Sequence, residues 1–116
     1  MNKPVDLKDL YDLSRGNTEF VREMIQIFLD HNPIDLKDLE NSISKKEYPA
    51  IKSKAHKMKT SLGFMGLKHL LKPLESIETL AENKRETEEI QFIYGEIKTS
   101  CDQAMDELRK LLSKLE

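Results

Sequence analysis

The chain has 116 residues, of which 34% are charged and 38% are apolar, and its formal net charge is −2. This balance is typical of one globular domain with its own core, and it gives no reason to expect a nucleic-acid or membrane partner. There is no apolar run of 18 residues and no apolar N-terminal segment, so we expect neither a membrane span nor a signal peptide. The single cysteine, Cys101, excludes an internal disulfide. We therefore expect a single domain over residues 1–116, a monomer in the cytoplasm.

The first predicted helix is short and covers about residues 7–14. Asp6 can accept hydrogen bonds from the N–H groups of its first turn, and Gly16 suits the turn that ends it. Asn17 or Thr18 can then cap a second helix, because apolar residues recur at three- and four-residue spacing immediately afterwards. The sequence thus predicts a short helix followed closely by a long one.

The second helix is predicted to continue to about Ser44, with a kink at Pro33, because the apolar stripe resumes promptly after the proline. The third is predicted over about residues 48–62, and Pro49 fits its first turn, where no backbone N–H is needed. Its apolar positions alternate steps of three and four: Tyr48, Ile51, Ala55, Met58, Leu62 and Met65. This pattern is typical of a helix that packs one face against a core.

Two more helices are predicted after Gly66. The first contains Pro73, which we expect to remove a backbone hydrogen bond and kink it. The last is the longest and is predicted over about residues 86–115, with Cys101 on its apolar stripe as a small buried side chain. Four long amphipathic helices with short connections indicate an all-α fold, an antiparallel up-and-down four-helix bundle with a short additional N-terminal helix.

His56 lies one residue away from the apolar stripe of the third helix, about 100° around the helix axis. It should therefore be exposed at the edge of the core. Lys52, Lys59, Thr60 and Gly63 lie three, four or seven residues away and share its face. A neutral imidazole is a nucleophile, and a cation one turn away can offset the charge of a bound phosphoryl group. This face is thus a candidate site for phosphoryl transfer.

Less specific interpretations apply to the same residues. A single helical histidine can be an ordinary surface residue. The segment from Lys45 to Lys68 holds seven lysines and one acid, Glu47, and could be a solvated face or a nucleic-acid surface, although no aromatic residues interleave with it. His31 and His69 lack comparable surroundings, and we interpret both as structural. No glycine-rich phosphate loop is present, so we do not expect the chain to bind ATP or to act as a kinase on its own.

The order of several short motifs resembles the histidine-containing phosphotransfer (HPt) domain family. The resemblance consists of the Gly-Asn-Thr-Glu-Phe turn at residues 16–20, Phe28-Leu29 followed by Pro33, Tyr48, the motif Ala55, His56, Lys59 and Gly66, and the pair Leu74-Glu75. The chain differs from the family pattern at Thr60, where a glycine is usual, and at Pro73 within the following helix. The resemblance extends over nearly the whole chain.

This resemblance implies that His56 is phosphorylated by an aspartyl phosphate on a response-regulator receiver domain and passes the group to a second receiver. It further implies that Nε2 is the attacking atom, that Lys59 is the cation beside the phosphoryl group, and that one receiver belongs to a hybrid sensor histidine kinase. We expect the receiver to dock over His56 on apolar residues of the first two helices and to supply Mg²⁺, with no cofactor held by this chain. Whether such a phosphotransfer protein counts as an enzyme stays open. The alternative is a non-catalytic helical interaction or adaptor bundle.

Overall fold

The computed structural model describes residues 7–84 and 87–115, except for the side chain of Asp9. These residues form α1 (Lys8–Ser14), α2 (Thr18–Ser44), α3 (Tyr48–Phe64), a 3-10 turn (Lys68–Leu70), α4 (Leu71–Glu82) and α5 (Thr87–Leu115). No strand occurs in either described range, so the all-α prediction is confirmed there. None of these helices is long and apolar enough to cross a membrane.

The starts of α1, α2 and α3 agree closely with the sequence prediction. The Asn17 side chain accepts a hydrogen bond from the Phe20 N–H at 3.2 Å, which satisfies one of the free donors at the start of α2. Helix α2 then continues through Pro33 as one element. The predicted cap Asp6 and the predicted first residue of α5, Glu86, lie outside the described residues.

Pro73 does not interrupt a helix, contrary to the prediction. The chain makes a 3-10 turn first, and α4 begins only at Leu71, so the proline is the third residue of the helix. The N–H groups of a first turn have no partner within the helix, and the missing N–H of proline therefore costs nothing there.

The four long helices pack side by side around one core. Helix α2 packs on α3 and α5, helix α4 packs on α3 and α5, and α1 packs on α2. The predicted apolar stripes supply most of the buried residues, with 0% exposure at Val21, Ile25, Leu39, Ile51, Ala55, Leu62, Leu74, Ile77, Ile90, Ile97, Cys101, Ala104 and Leu108. Each of the four long helices therefore packs on two of the others.

Three polar contacts join helices where the sequence indicated only apolar packing. The buried Tyr94 hydroxyl of α5 donates to the Leu36 carbonyl oxygen of α2 at 2.8 Å. The buried Asn32 amide donates to the Met105 sulfur at 3.7 Å. Lys54 of α3 donates to the Ser42 hydroxyl at 2.7 Å. These bonds link α2 to α3 and α5, and they give partners to the buried Tyr94 hydroxyl and to the buried Asn32 amide nitrogen.

Candidate functional site

His56 lies on the outer edge of α3, as its position beside the apolar stripe predicts. Its side chain is 69% exposed, whereas its neighbour Ala55 is fully buried against the core. The helix is anchored on both sides of the histidine by Ala55 and Met58, so the imidazole is presented on a rigid element. A side chain held this way can reach a second protein without any movement of the backbone.

A ladder of contacts joins the His56 face of α3 to α4. Residues successively closer to the end of α3 contact residues successively closer to the start of α4, as expected for antiparallel helices. Its four steps are Lys52 with Glu82 at 3.1 Å, His56 with Glu78 at 3.3 Å, Lys59 with Glu75 at 3.9 Å, and Gly63 with Leu71, whose side chain lies 3.6 Å from where a Cβ would be. The imidazole thus lies between two lysine–glutamate ion pairs and is not an isolated group.

Glu78 contacts both predicted reactive side chains. Its Oε2 lies 3.3 Å from Nδ1 of His56, and its Oε1 lies 2.9 Å from Nζ of Lys59. The side chain of Glu78 is 15% exposed and that of Lys59 is 22% exposed, so this ion pair is largely shielded from water. Shielding makes the attraction between the two charges stronger than it would be on the surface.

The contact from Glu78 distinguishes the two nitrogens of the imidazole. A carboxylate only accepts hydrogen bonds, so the neutral ring that suits it carries its proton on Nδ1. The lone pair is then on Nε2, the nitrogen that Glu78 does not contact. The arrangement can therefore present a nucleophilic Nε2 to an incoming electrophile.

The other predicted site residues divide between two sides of His56. Lys52 and Gly63 face α4, where Lys52 is paired and Gly63 leaves room for Leu71. Thr60 faces the other way and lines a groove between α2 and α3. The four residues that the sequence places on the face of His56 therefore do not form one continuous surface, since Gly63 packs against α4.

Gly66 has a backbone role that the motif alone does not reveal. It adopts φ +78° directly after α3, its N–H donates to the Gly63 carbonyl, and the Leu67 N–H donates to the Leu62 carbonyl. This pair of bonds is a Schellman motif, in which glycine is favoured because a side chain is strained at positive φ. The motif glycine thus ends the histidine helix and lies away from the imidazole.

The groove between α2 and α3 has a volume of about 510 Å³ and opens beside the His56 face. Its lining is mostly apolar and comprises Met24, Ile27, Phe28, His31, Asn32, Asp35, Lys57, Thr60, Ser61, Phe64 and Met65. Ile27 is 49% exposed although it is a large apolar residue. Exposed apolar surface of this kind is typical of a protein contact site.

The remaining reactive side chains are not part of this arrangement. His31 and His69 are both exposed, and His31 lines the groove. Cys101 is buried, and burial raises the pKa of its thiol to about 11, as expected for a core cysteine. Within residues 7–84 and 87–115, no group of three or more His, Cys, Asp or Glu side chains could hold a metal ion.

Sequence reasoning missed the three acids of α4 that complete the ladder. Glu75, Glu78 and Glu82 are three and four residues apart, which places them on one face of a helix. That spacing was a usable signal. What the sequence did not reveal is that this face meets His56 rather than solvent.

Comparison with known proteins gave matches for both sequence and fold. The family model described as Hpt domain matches residues 23–116. The structure is similar to the crystal structure of the HPT domain from the Hpt sensor hybrid histidine kinase from Shewanella, with a TM-score of 0.79 and 14% sequence identity over 96% of this chain and 95% of that chain. No curated protein matched the chain. The family model covers well over half of the chain, and the Shewanella domain has the same fold.

Proposed function

Because the chain belongs to the Hpt domain family, whose members transfer phosphoryl groups through a histidine in two-component phosphorelays, we propose that His56 is its phosphorylated residue. The single observation that carries the proposal is the exposed imidazole on α3, with Nδ1 directed at Glu78 and Nε2 making no hydrogen bond within the part of the chain that the structure describes. In the first step Nε2 attacks the phosphorus of an aspartyl phosphate on a receiver domain. In the second step an aspartate of another receiver takes the phosphoryl group.

Lys59 is proposed to stabilise the phosphoryl group during transfer. It lies one turn from His56 on the same face, and its ammonium is held 2.9 Å from Glu78. Phosphoryl transfer depends mainly on positioning and on compensation of negative charge. A lysine already ordered beside the imidazole loses less side-chain freedom when it contacts the phosphoryl oxygens.

The groove between α2 and α3 is proposed to receive the receiver domain. It lies beside His56 on the side away from α4, and it offers exposed apolar surface on the α2 side. A receiver docked there would bring its aspartate over Nε2, and the Mg²⁺ needed for transfer is assigned to the receiver. We also infer that α2–α5 form an antiparallel up-and-down bundle, and this surface is part of that bundle. We further infer that one partner is the receiver of a hybrid sensor kinase.

The competing function is a non-catalytic adaptor that binds receivers without accepting phosphate. The experiment that distinguishes the two uses a receiver loaded with radioactive phosphate. The wild-type chain should acquire label that is lost in acid and kept in base, as expected for a phosphoramidate bond. His56→Gln should remove the label and leave the helical circular dichroism unchanged, because the side chain is exposed. His69→Gln is the matched control and should keep full labelling, because His69 is exposed and does not line the groove.

The same single-turnover assay tests Lys59. We expect Lys59→Ala to slow transfer roughly tenfold, which corresponds to about 1.4 kcal/mol of transition-state stabilisation. Lys52→Ala is the matched control, since Lys52 lies on the same face but its ammonium is paired with Glu82, whereas Lys59 is paired with Glu78, the carboxylate that contacts His56. Equal effects of the two variants that disappear at high salt would mean that Lys59 only contributes to a diffuse positive field.

A further inference from the structure

Thr60 lies one helical turn after His56, on the side of α3 that faces away from α4. It is exposed and lines the groove between α2 and α3. Residues four apart on a helix have Cβ atoms about 5–6 Å apart, and each Cα–Cβ bond tilts toward the N-terminus of the helix. The Thr60 side chain is therefore directed back toward the turn that carries His56, and it neighbours the imidazole on the side that Glu78 does not occupy.

The hydroxyl of Thr60 is a hydrogen-bond donor without a partner in the part of the chain that the structure describes. Hydroxyls inside helices can donate to a carbonyl oxygen three or four residues earlier. The next residue, Ser61, does so to the Met58 carbonyl at 3.4 Å. On α5, Thr99 does so to the Gly95 carbonyl at 3.0 Å. Thr60 differs from both, so its hydroxyl can donate to a group that arrives beside the imidazole.

We propose that the Thr60 hydroxyl donates a hydrogen bond to an oxygen of the phosphoryl group carried on Nε2 of His56, and that it thereby stabilises the phosphorylated chain. The inference rests on the proposed function of His56 and adds a second phosphoryl-binding side chain to the site. Hydrogen bonds to a charged oxygen are shorter and stronger than those between neutral groups. A hydroxyl beside the phosphoryl group therefore favours the phosphorylated state over the free imidazole.

Thr60 and Lys59 would hold the phosphoryl group from opposite sides. The Lys59 ammonium lies 2.9 Å from Glu78, so it approaches from the α4 side, whereas Thr60 lies on the groove side. A phosphoryl group offers three acceptor oxygens, which is enough for both donors. Lys57 also lines the groove and adds positive charge there. The hydroxyl supplies what the two lysines do not, a short neutral donor on the groove side of His56.

A purely steric role for Thr60 makes a different prediction. The branched side chain adds bulk beside His56, and this bulk could limit access by a receiver without contacting the phosphoryl group. Two substitutions separate the hydroxyl from the bulk. Thr60→Val keeps the branched shape and removes the hydroxyl, whereas Thr60→Ser keeps the hydroxyl and removes the methyl group. Both should fold normally because the side chain is exposed, and circular dichroism checks this.

The first measurement is the division of phosphoryl label between the chain and one receiver domain at equilibrium. In dilute solution, where most of both proteins are unbound, this ratio does not depend on how they dock. Thr60→Val should lower the ratio of labelled chain to labelled receiver about fivefold, as expected for the loss of one hydrogen bond, and Thr60→Ser should keep it within about twofold of wild type. Thr99→Val is the matched control, since it makes the same change at an exposed threonine of α5 and should leave the ratio unchanged.

The second measurement needs no receiver. Phosphoramidate serves as a small phosphodonor, and the ³¹P chemical shift of phosphorylated His56 reports the surroundings of the phosphoryl oxygens. We expect Thr60→Ser and Thr99→Val to give the wild-type shift and Thr60→Val to give a different one.

Equal ratios and equal ³¹P shifts for the wild-type chain and Thr60→Val would overturn the inference. It would also be overturned if Thr60→Ser behaved like Thr60→Val, because the methyl group would then be the part of the side chain that matters. A chain that phosphoramidate phosphorylates on His56 but that no receiver labels would contradict the proposed function instead. In that case the ³¹P shifts would still decide the role of Thr60.

Discussion

At the scale of single residues, Tyr94 connects a side-chain ionisation to the packing of two helices. Burial raises the pKa of its phenol to about 12 from the ordinary value of 10, with a smaller contribution from the negative charge of Glu40. The folded chain therefore holds this proton more tightly than the unfolded chain does. The resulting stabilisation is fully present below pH 10 and is lost as the pH rises toward 12.

We therefore expect Tyr94→Phe to have two effects on the free energy of unfolding. At pH 7 it should lower this free energy by about 1 kcal/mol, because the hydrogen bond to the Leu36 carbonyl is lost. Between pH 10 and 12 the wild-type chain should lose stability more steeply than the variant, which has no phenol to ionise. Urea unfolding of both chains across this range checks the prediction, and parallel pH profiles would contradict it. Both chains contain the buried Cys101 thiol, whose charge is a further, smaller cause of the raised pKa of Tyr94.

At the scale of secondary-structure elements, α2 ends in a strained backbone conformation that its sequence does not indicate. The residue after the C-cap of α2 is Lys46, with φ +55°, and its N–H and that of Glu47 donate to the Ile43 and Ser42 carbonyls. This is the position that Gly66 occupies after α3. A non-glycine residue in this left-handed region costs about 1–2 kcal/mol, which is offset by the two hydrogen bonds and the packing that follow.

Lys46→Gly should consequently raise the free energy of unfolding by about 1 kcal/mol, since glycine adopts this conformation without steric cost. Lys45→Gly is the matched control: the neighbouring lysine has φ −88°, so glycine there should give no gain. Thermal and urea unfolding of the two variants check this. A similar change for both would mean that the effect comes from the lost lysine charge.

At the scale of the whole molecule, the site is formed by α3 together with α2 and α4, which both pack on it. Helix α4 supplies the acids that face His56, and α2 supplies most of the groove on the other side. The histidine thus lies between a charged surface and an apolar one. The receiver domain proposed as the partner would therefore bind on the apolar side, away from the α4 carboxylates.

Binding of a receiver domain tests this division. Ile27→Asp places a charge in the groove and should weaken the affinity of a receiver at least tenfold, which is about 1.4 kcal/mol of binding free energy. Phe92→Asp is the matched control, because Phe92 is an exposed apolar residue on α5 that does not line the groove. Titration calorimetry with an unphosphorylated receiver measures both. Equal weakening by the two variants would place the docking surface elsewhere or make it nonspecific.

The sequence by itself determined the features that depend on helical periodicity. The apolar residues of α3 recur every three or four positions, so the exposure of His56 follows from its place one residue beyond Ala55. The burial of Cys101 on the α5 stripe follows in the same way. The cap at Asn17 is equally local, since the residues it joins are three apart. Such features are set within one or two turns and require no knowledge of the neighbouring helices.

Only the tertiary structure decided which faces meet. Glu78 is 22 residues from His56 in the chain, and their contact depends on the register in which α3 and α4 pack. That register follows from the exact helix ends, including the 3-10 turn that moves Pro73 into the first turn of α4. It also directs Gly63 toward Leu71 rather than toward the histidine. Periodicity predicts which residues of a helix share a face, but complementary packing between helices decides which other helix that face contacts. For that reason the contact between His56 and the Glu78 carboxylate could be identified only in the folded chain.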